Sequence, residues 1–351
     1  MNNILADIDV IAFSIGSLQI RWYGLIITIG MILALVFGYL NIKRLGMHFD
    51  DAIEVFLWIV PLGVICARLL YVFVRPDEYF YKWTSFDDFV NMIAVWEGGL
   101  TIIGGIIGGI IGLIIFWFRH RNQLSLGQAI DVVIVPLLIA QALGRTGNFI
   151  NQEAFGVAIT NPAMQHFPIA IYITNPSGVS EAFRDEVWGY ISANGGGYWF
   201  AATFFYEMMW NLLGAVIFYI VFLKNKKLPG ILFFAYLAWE CLIRGLLEFI
   251  RVDAVPITQV LCFTLLPILI IGGFVYAFYR ISKTSYLKMK YATLAGTISG
   301  INISKFDAWN YAFVGRLLMP EKRISKFFKW LYSIEEHKFH EMELYINYVR
   351  L

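Results

Sequence analysis

The amino-acid sequence predicts an all-α polytopic membrane protein with seven transmembrane helices. Hydrophobic residues make up 59% of the 351-residue chain, and its mean hydropathy is +0.67. Charged residues make up only 15%, whereas soluble domains average about 25%. The apolar residues also gather into seven stretches, each of roughly the 17 to 25 residues that a helix needs to cross a bilayer. These observations exclude an ordinary water-soluble protein.

The predicted spans lie at about 22–40, 53–73, 98–118, 129–150, 200–223, 230–250 and 257–279. Basic residues follow the first, third and fifth spans, whereas the alternate connections are acidic or mixed. These basic residues are Lys43, Arg44, Arg119, Arg121, Lys224, Lys226 and Lys227. Because lysine and arginine concentrate in cytoplasmic loops, the pattern predicts an N-terminus outside the cell and a C-terminus in the cytoplasm.

Two segments outside the spans define the predicted domain organisation. Residues 151–199 contain the turn-rich sequences "NPSG" and "ANGGG", which predict a small extracytoplasmic cap with short helices between the fourth and fifth spans. Residues 1–280, including this cap, form the predicted transmembrane core. Residues 281–351 form a basic cytoplasmic tail, in which "EKRISKFFKWL" is typical of a helix resting on anionic headgroups. Partner binding is the alternative role for this tail.

Charge and cysteine content exclude several function classes. The formal net charge of +2 gives no basis for nucleic-acid binding. Cys66, Cys241 and Cys262 all lie inside apolar stretches, where cysteine behaves as a small hydrophobic residue, so no disulfide framework is expected. We expect neither a metal nor an organic cofactor.

Three arginines lie at similar depth near the outer ends of predicted spans: Arg68, Arg145 and Arg244. Charged side chains inside a membrane are costly and usually functional. A guanidinium group matches phosphate oxygens in bidentate fashion and stays charged when partly desolvated. We therefore expect a cavity, open to the outer leaflet, that binds an anionic lipid headgroup. The alternative is an internal ion pair with Glu207, Glu248 or Glu97 that only locks helices together.

Further polar residues accompany these arginines. Glu248 and Arg251 follow Arg244 at spacings of four and three, which predicts that the three share one helical face. Tyr23 and Glu207 lie in the outer turns of the first and fifth predicted spans. Tyr23 is expected either to contact the headgroup or to serve as an interfacial aromatic anchor.

Glycine repeats at spacings of four in the third predicted span, "EGGLTIIGGIIGG" at residues 97–109. Small residues at this spacing let two helix backbones approach closely in a membrane. The pattern therefore favours tight helix packing, and access for a lipid tail is the alternative.

The sequence "GRTGNFINQEAFG" at residues 144–156 carries the most specific signal in the chain. It resembles the signature G-R-x-G-N-F-x-N-x-E-x-x-G of the prolipoprotein diacylglyceryl transferase family. The matching residues are Gly144, Arg145, Gly147, Asn148, Phe149, Asn151, Glu153 and Gly156. Agreement extends over about residues 10–280 and includes "RWYGL", "FFYEMMWNL" and "RGLLEFIR", but it does not reach the tail.

This resemblance implies an enzyme of the bacterial plasma membrane with two substrates. The family moves the diacylglyceryl group of phosphatidylglycerol onto the lipobox cysteine of a prelipoprotein signal peptide, forms a thioether and releases glycerol-1-phosphate. The catalytic residues implied are Arg145, Arg244, Tyr23 and Glu207. The implied phosphatidylglycerol-binding residues are Arg145, Asn148, Asn151, Gly156, Arg244, Glu248, Arg251 and Arg68.

Two departures from the family pattern bear on the mechanism. Ile103 stands where many members carry His or Tyr, and Ala201-Ala202-Thr203 replaces a frequent H-P-T or Y-P-T. A histidine base at either place is excluded, so thiol activation needs another source. The arginines would lower the pKa of the substrate thiol from about 8.5, with Tyr23 or Glu207 available to handle the proton.

Two other function classes agree less well with the sequence than the transferase does. An intramembrane protease needs a nucleophile with a base, a pair of aspartates or a metal motif, and the predicted spans contain none of these. A phospholipid or ion transporter could also use intramembrane arginines. A transporter is expected to have polar residues on both sides of the midplane, whereas this chain concentrates them on one side.

Overall fold

The computed structural model describes residues 10–16, 18–79, 86–95, 99–176, 179, 181–224, 228–252 and 256–294. Glu97, one of the proposed arginine partners, lies outside the described residues. Most of the predicted tail, from residue 295 to 351, also lies outside them, including the "EKRISKFFKWL" segment. The described part of the chain is mostly helical.

The helices are α1 (Trp22–Arg44), α2 (Phe49–Val74), α3 (Pro76–Tyr79), α4 (Phe86–Ile93), α5 (Ile102–His120), α6 (Leu126–Ile150), α7 (Glu181–Ala193), α8 (Thr203–Lys224), α9 (Ile231–Leu247) and α10 (Pro256–Leu294). The strands are β1 (Ile11–Ile15), β2 (Leu18–Arg21), β3 (Ala170–Ile173) and β4 (Tyr198–Ala201). A short 3-10 turn covers Pro162–Met164.

Six helices of the described part are long and apolar enough to cross a membrane: α1, α2, α5, α6, α8 and the Ile257–Ile281 portion of α10. These helices confirm the polytopic helical membrane class. The predicted span at 230–250 corresponds to α9, which has only 17 residues because the chain turns at Glu248. The seventh crossing therefore stays a prediction.

Helix α5 packs on α2 through a stripe of glycines. A Cβ atom added at Gly104 would lie 2.4 Å from the carbonyl oxygen of Cys66, and one at Gly108 would lie 2.1 Å from that of Leu62. Gly112 repeats the contact one turn further on, at 2.5 Å from the carbonyl oxygen of Trp58. The backbones touch because no side chain separates them. This geometry confirms the packing interpretation of the glycine pattern.

Helix α6 is the most enclosed of the candidate spans, with half of its apolar window buried. It packs against α1, α8 and α9. Helices α6 and α9 finish at one end of the bundle, where α1 and α8 begin. We call this the signature end, because the signature sequence of α6 lies there. At the opposite end, the Asp131 carboxylate accepts a hydrogen bond of 2.7 Å from the backbone of Gly230, which docks the start of α9.

The predicted cap contains a small sheet in addition to the expected short helices. Strands β3 and β4 pair antiparallel, with Ala170 opposite Ala201 and Ile173 opposite Tyr198. Phe155, Phe200 and Phe204 belong to a buried cluster that joins this sheet to the end of α6 and the start of α8. A second antiparallel pair, β1 with β2, precedes α1. Both strand pairs were missed by the all-α prediction, since strands of four or five residues carry too short an alternation to recognise.

Candidate active site

Arg145 and Arg244 converge on the buried carboxylate of Glu207 at the signature end. The Nε atom of Arg145 lies 2.5 Å from Glu207 Oε2, and Nη1 of Arg244 donates to Glu207 Oε1 at 2.8 Å. The Glu207 side chain is only 5% exposed, whereas those of Arg145 and Arg244 are 27% and 30% exposed. One carboxylate therefore holds two partly exposed guanidinium groups, so the ion pair with Glu207 that the sequence offered as an alternative is present.

Three helices bring these side chains together. Arg145 lies near the end of α6, Glu207 near the start of α8 and Arg244 in the last turn of α9. Because α8 runs opposite in direction to α6 and α9, its first turns meet their last turns. The two arginines and one carboxylate of this triad carry a net charge of one positive unit, which suits an anion.

The two asparagines of the signature contact Glu153 in the turn after α6. Asn148 Nδ2 donates to Glu153 Oε1 at 2.8 Å, and Asn151 Nδ2 donates to the same oxygen at 3.3 Å. Asn148 Oδ1 in turn accepts from Nη1 of Arg145 at 3.4 Å. Gln152 and Ala154 adopt positive φ angles of 50° and 55°, so this turn is tight. The asparagines thus connect the turn to Arg145.

Tyr23 lies in the first turn of α1 and belongs to the same site. Its ring covers Gly147, where an added Cβ would lie 2.3 Å from Tyr23 Cδ2. Its hydroxyl is close enough to Glu153 and Arg145 to interact electrostatically with both. The glycine of the signature therefore lets the aromatic ring of α1 approach α6.

Changing Gly147 to alanine is expected to displace Tyr23 and destabilise the protein. The new methyl group would overlap the ring, and overpacking of this kind costs typically about 1–3 kcal/mol. The measurement is thermal unfolding in detergent. Gly144→Ala is the matched control, because no atom lies within 4 Å of its added Cβ. Equal loss of stability in both variants would contradict the close contact with Tyr23.

Glu248 lies one helical turn after Arg244, and its backbone N–H donates to the Arg244 carbonyl at 3.1 Å, but Arg251 does not share the helical face that was predicted for all three. Helix α9 ends at Leu247, and Arg251 pairs in a β-bridge with Gly156 instead. The prediction was wrong for Arg251 because this backbone pairing with the cap stops the helix. The charges nevertheless stay close, since Arg251 interacts electrostatically with Arg145, and Glu248 with Arg244.

Gly156 lies where three segments meet. Its backbone N–H donates to the carbonyl of Ala201 at 2.7 Å, and an added Cβ would lie 2.4 Å from the carbonyl oxygen of Ile250. Thr203 fastens the same region through a hydrogen bond of 2.7 Å from its hydroxyl to the carbonyl of Ala154. Glycine is required at position 156 because the backbone of another segment approaches too closely to leave room for a side chain.

Arg68 is buried and its guanidinium group binds the backbone. Its Nε, Nη2 and Nη1 atoms donate to the carbonyls of Met92, Asn91 and Gly99 at 3.0, 2.5 and 3.3 Å. Tyr71 and Tyr79 flank the guanidinium, each with its ring centroid 5.5 Å away. Arg68 therefore joins α2 to the segment before α5, and the described contacts do not bring it into the Arg145–Glu207–Arg244 triad.

Comparison with known proteins places this chain in an established family. Residues 10–279 match the family model described as prolipoprotein diacylglyceryl transferase. The chain belongs to this family. With six apolar helices long enough to cross a bilayer, it is a multi-pass protein of the bacterial plasma membrane.

The relatives cover most of the chain and almost all of their own length. A protein of Listeria welshimeri serovar 6b is 31% identical over 300 residues, which cover 84% of this chain and 99% of the relative. A Lactobacillus delbrueckii protein is 34% identical over 288 residues, covering 79% of this chain and 94% of the relative. Both relatives are named phosphatidylglycerol--prolipoprotein diacylglyceryl transferase.

A second cluster of ionisable groups lies at the end of the bundle opposite the signature end. Asp51, Glu54 and His120 place possible ligand atoms within 4.8 Å of one another. Glu54 Oε2 lies 3.0 Å from Nε2 of His120, while Arg119 binds Glu54 Oε1. Because the Arg119 guanidinium group already pairs with the Glu54 carboxylate, we interpret the cluster as an ion-pair network that joins α2 to α5. His120, two residues beyond the predicted span at 98–118, is the last residue of α5.

One residue of the site was not assigned from the sequence. Glu240 on α9 interacts electrostatically with Glu207, Arg145 and Arg244. Its position four residues before Arg244 predicts that both lie on one helical face. This spacing of four residues could have assigned Glu240 to the site from the sequence. It was not used because Glu240 lies near the middle of the predicted span rather than at its outer end.

Proposed function

We propose that this protein transfers the diacylglyceryl group of phosphatidylglycerol to the lipobox cysteine of prelipoproteins. The cysteine sulfur attacks the glyceryl carbon that bears the phosphate, a thioether forms, and glycerol-1-phosphate leaves. The observation that carries the proposal is the convergence of Arg145 and Arg244, each partly exposed, on Glu207 at the signature end. Membership of the transferase family supports the same reaction.

Arg145 and Arg244 are proposed to bind the lipid phosphate and to stabilise the departing oxygen. Guanidinium groups match phosphate in bidentate geometry, and their positive charge also meets the negative charge that grows on the leaving group. A donor oriented in this way contributes roughly 3–4 kcal/mol of transition-state stabilisation. The same positive field favours the thiolate form of the attacking cysteine.

The proposed role of Glu207 is to position the arginines rather than to accept a proton. Each of its carboxylate oxygens contacts one guanidinium group. Asn148 is proposed to orient Arg145 directly, while Glu153 holds Asn148 and Asn151 in the turn. Tyr23 is proposed to contact the headgroup beside them. Glu248 and Arg251 supply further charge at the edge of the site.

Arg68 and Gly156, which the resemblance implied as substrate-binding residues, are not part of the proposed binding site. The Arg68 guanidinium donates to three backbone carbonyls, which supports a role in holding residues 91–99 against α2. Gly156 supports the contact between the cap and residue 250. We infer that both act on the shape of the protein and not directly on the lipid.

The proposed topology has seven crossings, with the signature end at the outer leaflet. Helix α9, with 17 residues, is about 26 Å long at 1.5 Å per residue, slightly less than the roughly 30 Å hydrocarbon core. The last turns of α1, α5 and α8 carry Lys43, Arg119 and Lys224 at the opposite end. Basic ends of this kind favour a cytoplasmic location.

The test is to incubate the purified protein with phosphatidylglycerol vesicles and a lipobox peptide. Mass spectrometry is expected to find a diacylglyceryl adduct on the cysteine, with release of glycerol phosphate that depends on the thiol. A peptide with serine at the lipobox position is the control. Movement of the lipid headgroup across the vesicle without cleavage would instead support the transporter alternative.

A further inference from the structure

A second layer of polar side chains lies one helical turn away from the arginine site. Gln141, Asn211 and Glu240 are each four residues from one member of the triad, namely Arg145, Glu207 and Arg244. Because α6 and α9 finish at the signature end and α8 begins there, all three lie on the side toward the membrane centre. A spacing of four residues corresponds to about 6 Å along a helix.

We call Gln141, Asn211 and Glu240 the acceptor layer, because each has a buried side-chain oxygen without a hydrogen-bond donor among the described residues. Gln141 Oε1, Asn211 Oδ1 and Glu240 Oε1 are buried and receive no hydrogen bond from the described residues. Buried polar atoms in folded proteins are nearly always paired, because an unpaired one costs roughly 1–3 kcal/mol. Three such acceptors on neighbouring helices indicate a place for a hydrogen-bond donor.

Contacts between the helices brace this layer. Gln141 Nε2 donates to the hydroxyl of Tyr236 at 2.9 Å, which joins α6 to α9. Trp210 and Trp239 stack with ring centroids 4.0 Å apart, and each indole N–H donates to the backbone carbonyl of the other tryptophan. These tryptophans adjoin Asn211 and Glu240 in the chain, so the stack joins α8 to α9 beside the acceptor layer.

We propose that the acceptor layer receives the thiol of the lipobox cysteine and that Glu240 is the general base for its proton. The inference rests on the proposed function. Both oxygens of Glu207 contact arginines, and Glu153 accepts hydrogen bonds from the two signature asparagines. Glu248 follows Arg244 on the side away from the membrane centre, whereas Glu240 lies on the inner side and its Oε1 receives no hydrogen bond from the described residues. Gln141 and Asn211 orient the sulfur beside it.

The depth of the acceptor layer matches the geometry of the reaction. The lipid phosphate is held by Arg145 and Arg244, and the bond to be broken leads from it toward the acyl chains. The sulfur must approach the glyceryl carbon from the side opposite the departing oxygen. It therefore lies further toward the membrane centre than the phosphate, where Glu240 is found one turn below Arg244.

The proposed step balances in protons and electrons. The thiol gives its proton to the Glu240 carboxylate, and the resulting thiolate forms the carbon–sulfur bond. The electron pair of the carbon–oxygen bond leaves with the phosphate oxygen. Protonated Glu240 then returns its proton to the departing glycerol phosphate or to water, which restores the carboxylate.

The test compares cysteine and selenocysteine lipobox peptides as acceptors. A selenol is ionised at neutral pH and needs no base, whereas a thiol of pKa about 8.5 does. Glu240→Gln is expected to lower the single-turnover rate with the cysteine peptide by about 10²-fold or more. With the selenocysteine peptide it is expected to keep the wild-type rate. The ratio of the two rates is independent of how much of the preparation is folded.

Other variants and outcomes make the test decisive. Glu240→Asp retains a carboxylate and is expected to give an intermediate ratio, and it serves as the second variant where Glu240→Gln folds poorly. Glu186→Gln, a change at an exposed glutamate of α7, is the control and is expected to match the wild type. An equal rate loss with both peptides would overturn the assignment of Glu240 as the base. An inactive wild type would instead refute the proposed function.

Discussion

Replacing Arg145 with alanine is expected to reduce diacylglyceryl transfer by at least about 10²–10³-fold, the loss typical of removing one donor that stabilises developing negative charge. Arg145 supplies one of the two guanidinium groups of the triad, and its contact with Asn148 ties it to the signature turn. The variant should still insert and fold, because Glu207 keeps its hydrogen bond from Arg244. Single-turnover transfer to a lipobox peptide, normalised to folded protein, measures the effect.

Two further substitutions separate the geometry of Arg145 from its charge. Arg145→Lys keeps the positive charge but loses the bidentate fork, so its transfer rate is expected to lie between those of the wild type and the alanine variant. Arg121→Ala removes an exposed arginine at the opposite end of the bundle and is expected to leave the rate unchanged. Normal transfer by Arg145→Ala would refute the phosphate-binding role.

Replacing Gly108 with alanine is expected to cause the largest loss of stability among single-methyl changes in α5. Its added Cβ would lie 2.1 Å from the carbonyl oxygen of Leu62 and 2.8 Å from the Cα atom of Gly63. Both are backbone atoms, so the strain is relieved only when α2 and α5 move apart. Overpacking typically costs about 1–3 kcal/mol, and a backbone contact should lie at the upper end.

Gly109→Ala is the matched control for this change. It adds the same methyl group one residue later, where the nearest atom is a side-chain carbon of Ile59 at 3.8 Å. Thermal unfolding in detergent and the fraction of monodisperse protein after purification measure both variants. Equal stability of Gly108→Ala and the wild type would mean that α2 and α5 are further apart than the glycine stripe indicates.

The spans, the glycine packing and the signature were predictable because each depends on residues close together in the chain. Apolar stretches of sufficient length predicted six helices that the structure also identifies as candidate spans. The spacing of four among glycines predicted the contact of α5 with another helix, although not that its partner is α2. The short strands of the cap were missed, since four residues carry too little pattern.

The site itself was predicted as a set of residues but not as an arrangement. Arg145 and Arg244 were predicted from their depth in the spans, and Glu207 was named as a possible partner, yet nothing local indicated that one carboxylate would hold both guanidinium groups. Arg68 carries the same side chain at a similar predicted depth, but the structure directs it to backbone carbonyls. Composition cannot distinguish these two environments.

The sequence by itself therefore determined the membrane class, the family and the identity of the charged residues. Only the tertiary structure decided which arginines meet, that Arg251 leaves the helical face of Arg244, and that Glu240 lies beneath the site with an unmatched oxygen. The physical reason is that hydrophobicity and helical spacing act within a segment of the chain. The orientation of a buried charged side chain depends instead on partners that packing brings from distant segments. Such partners are needed because burying an unpaired charge is costly.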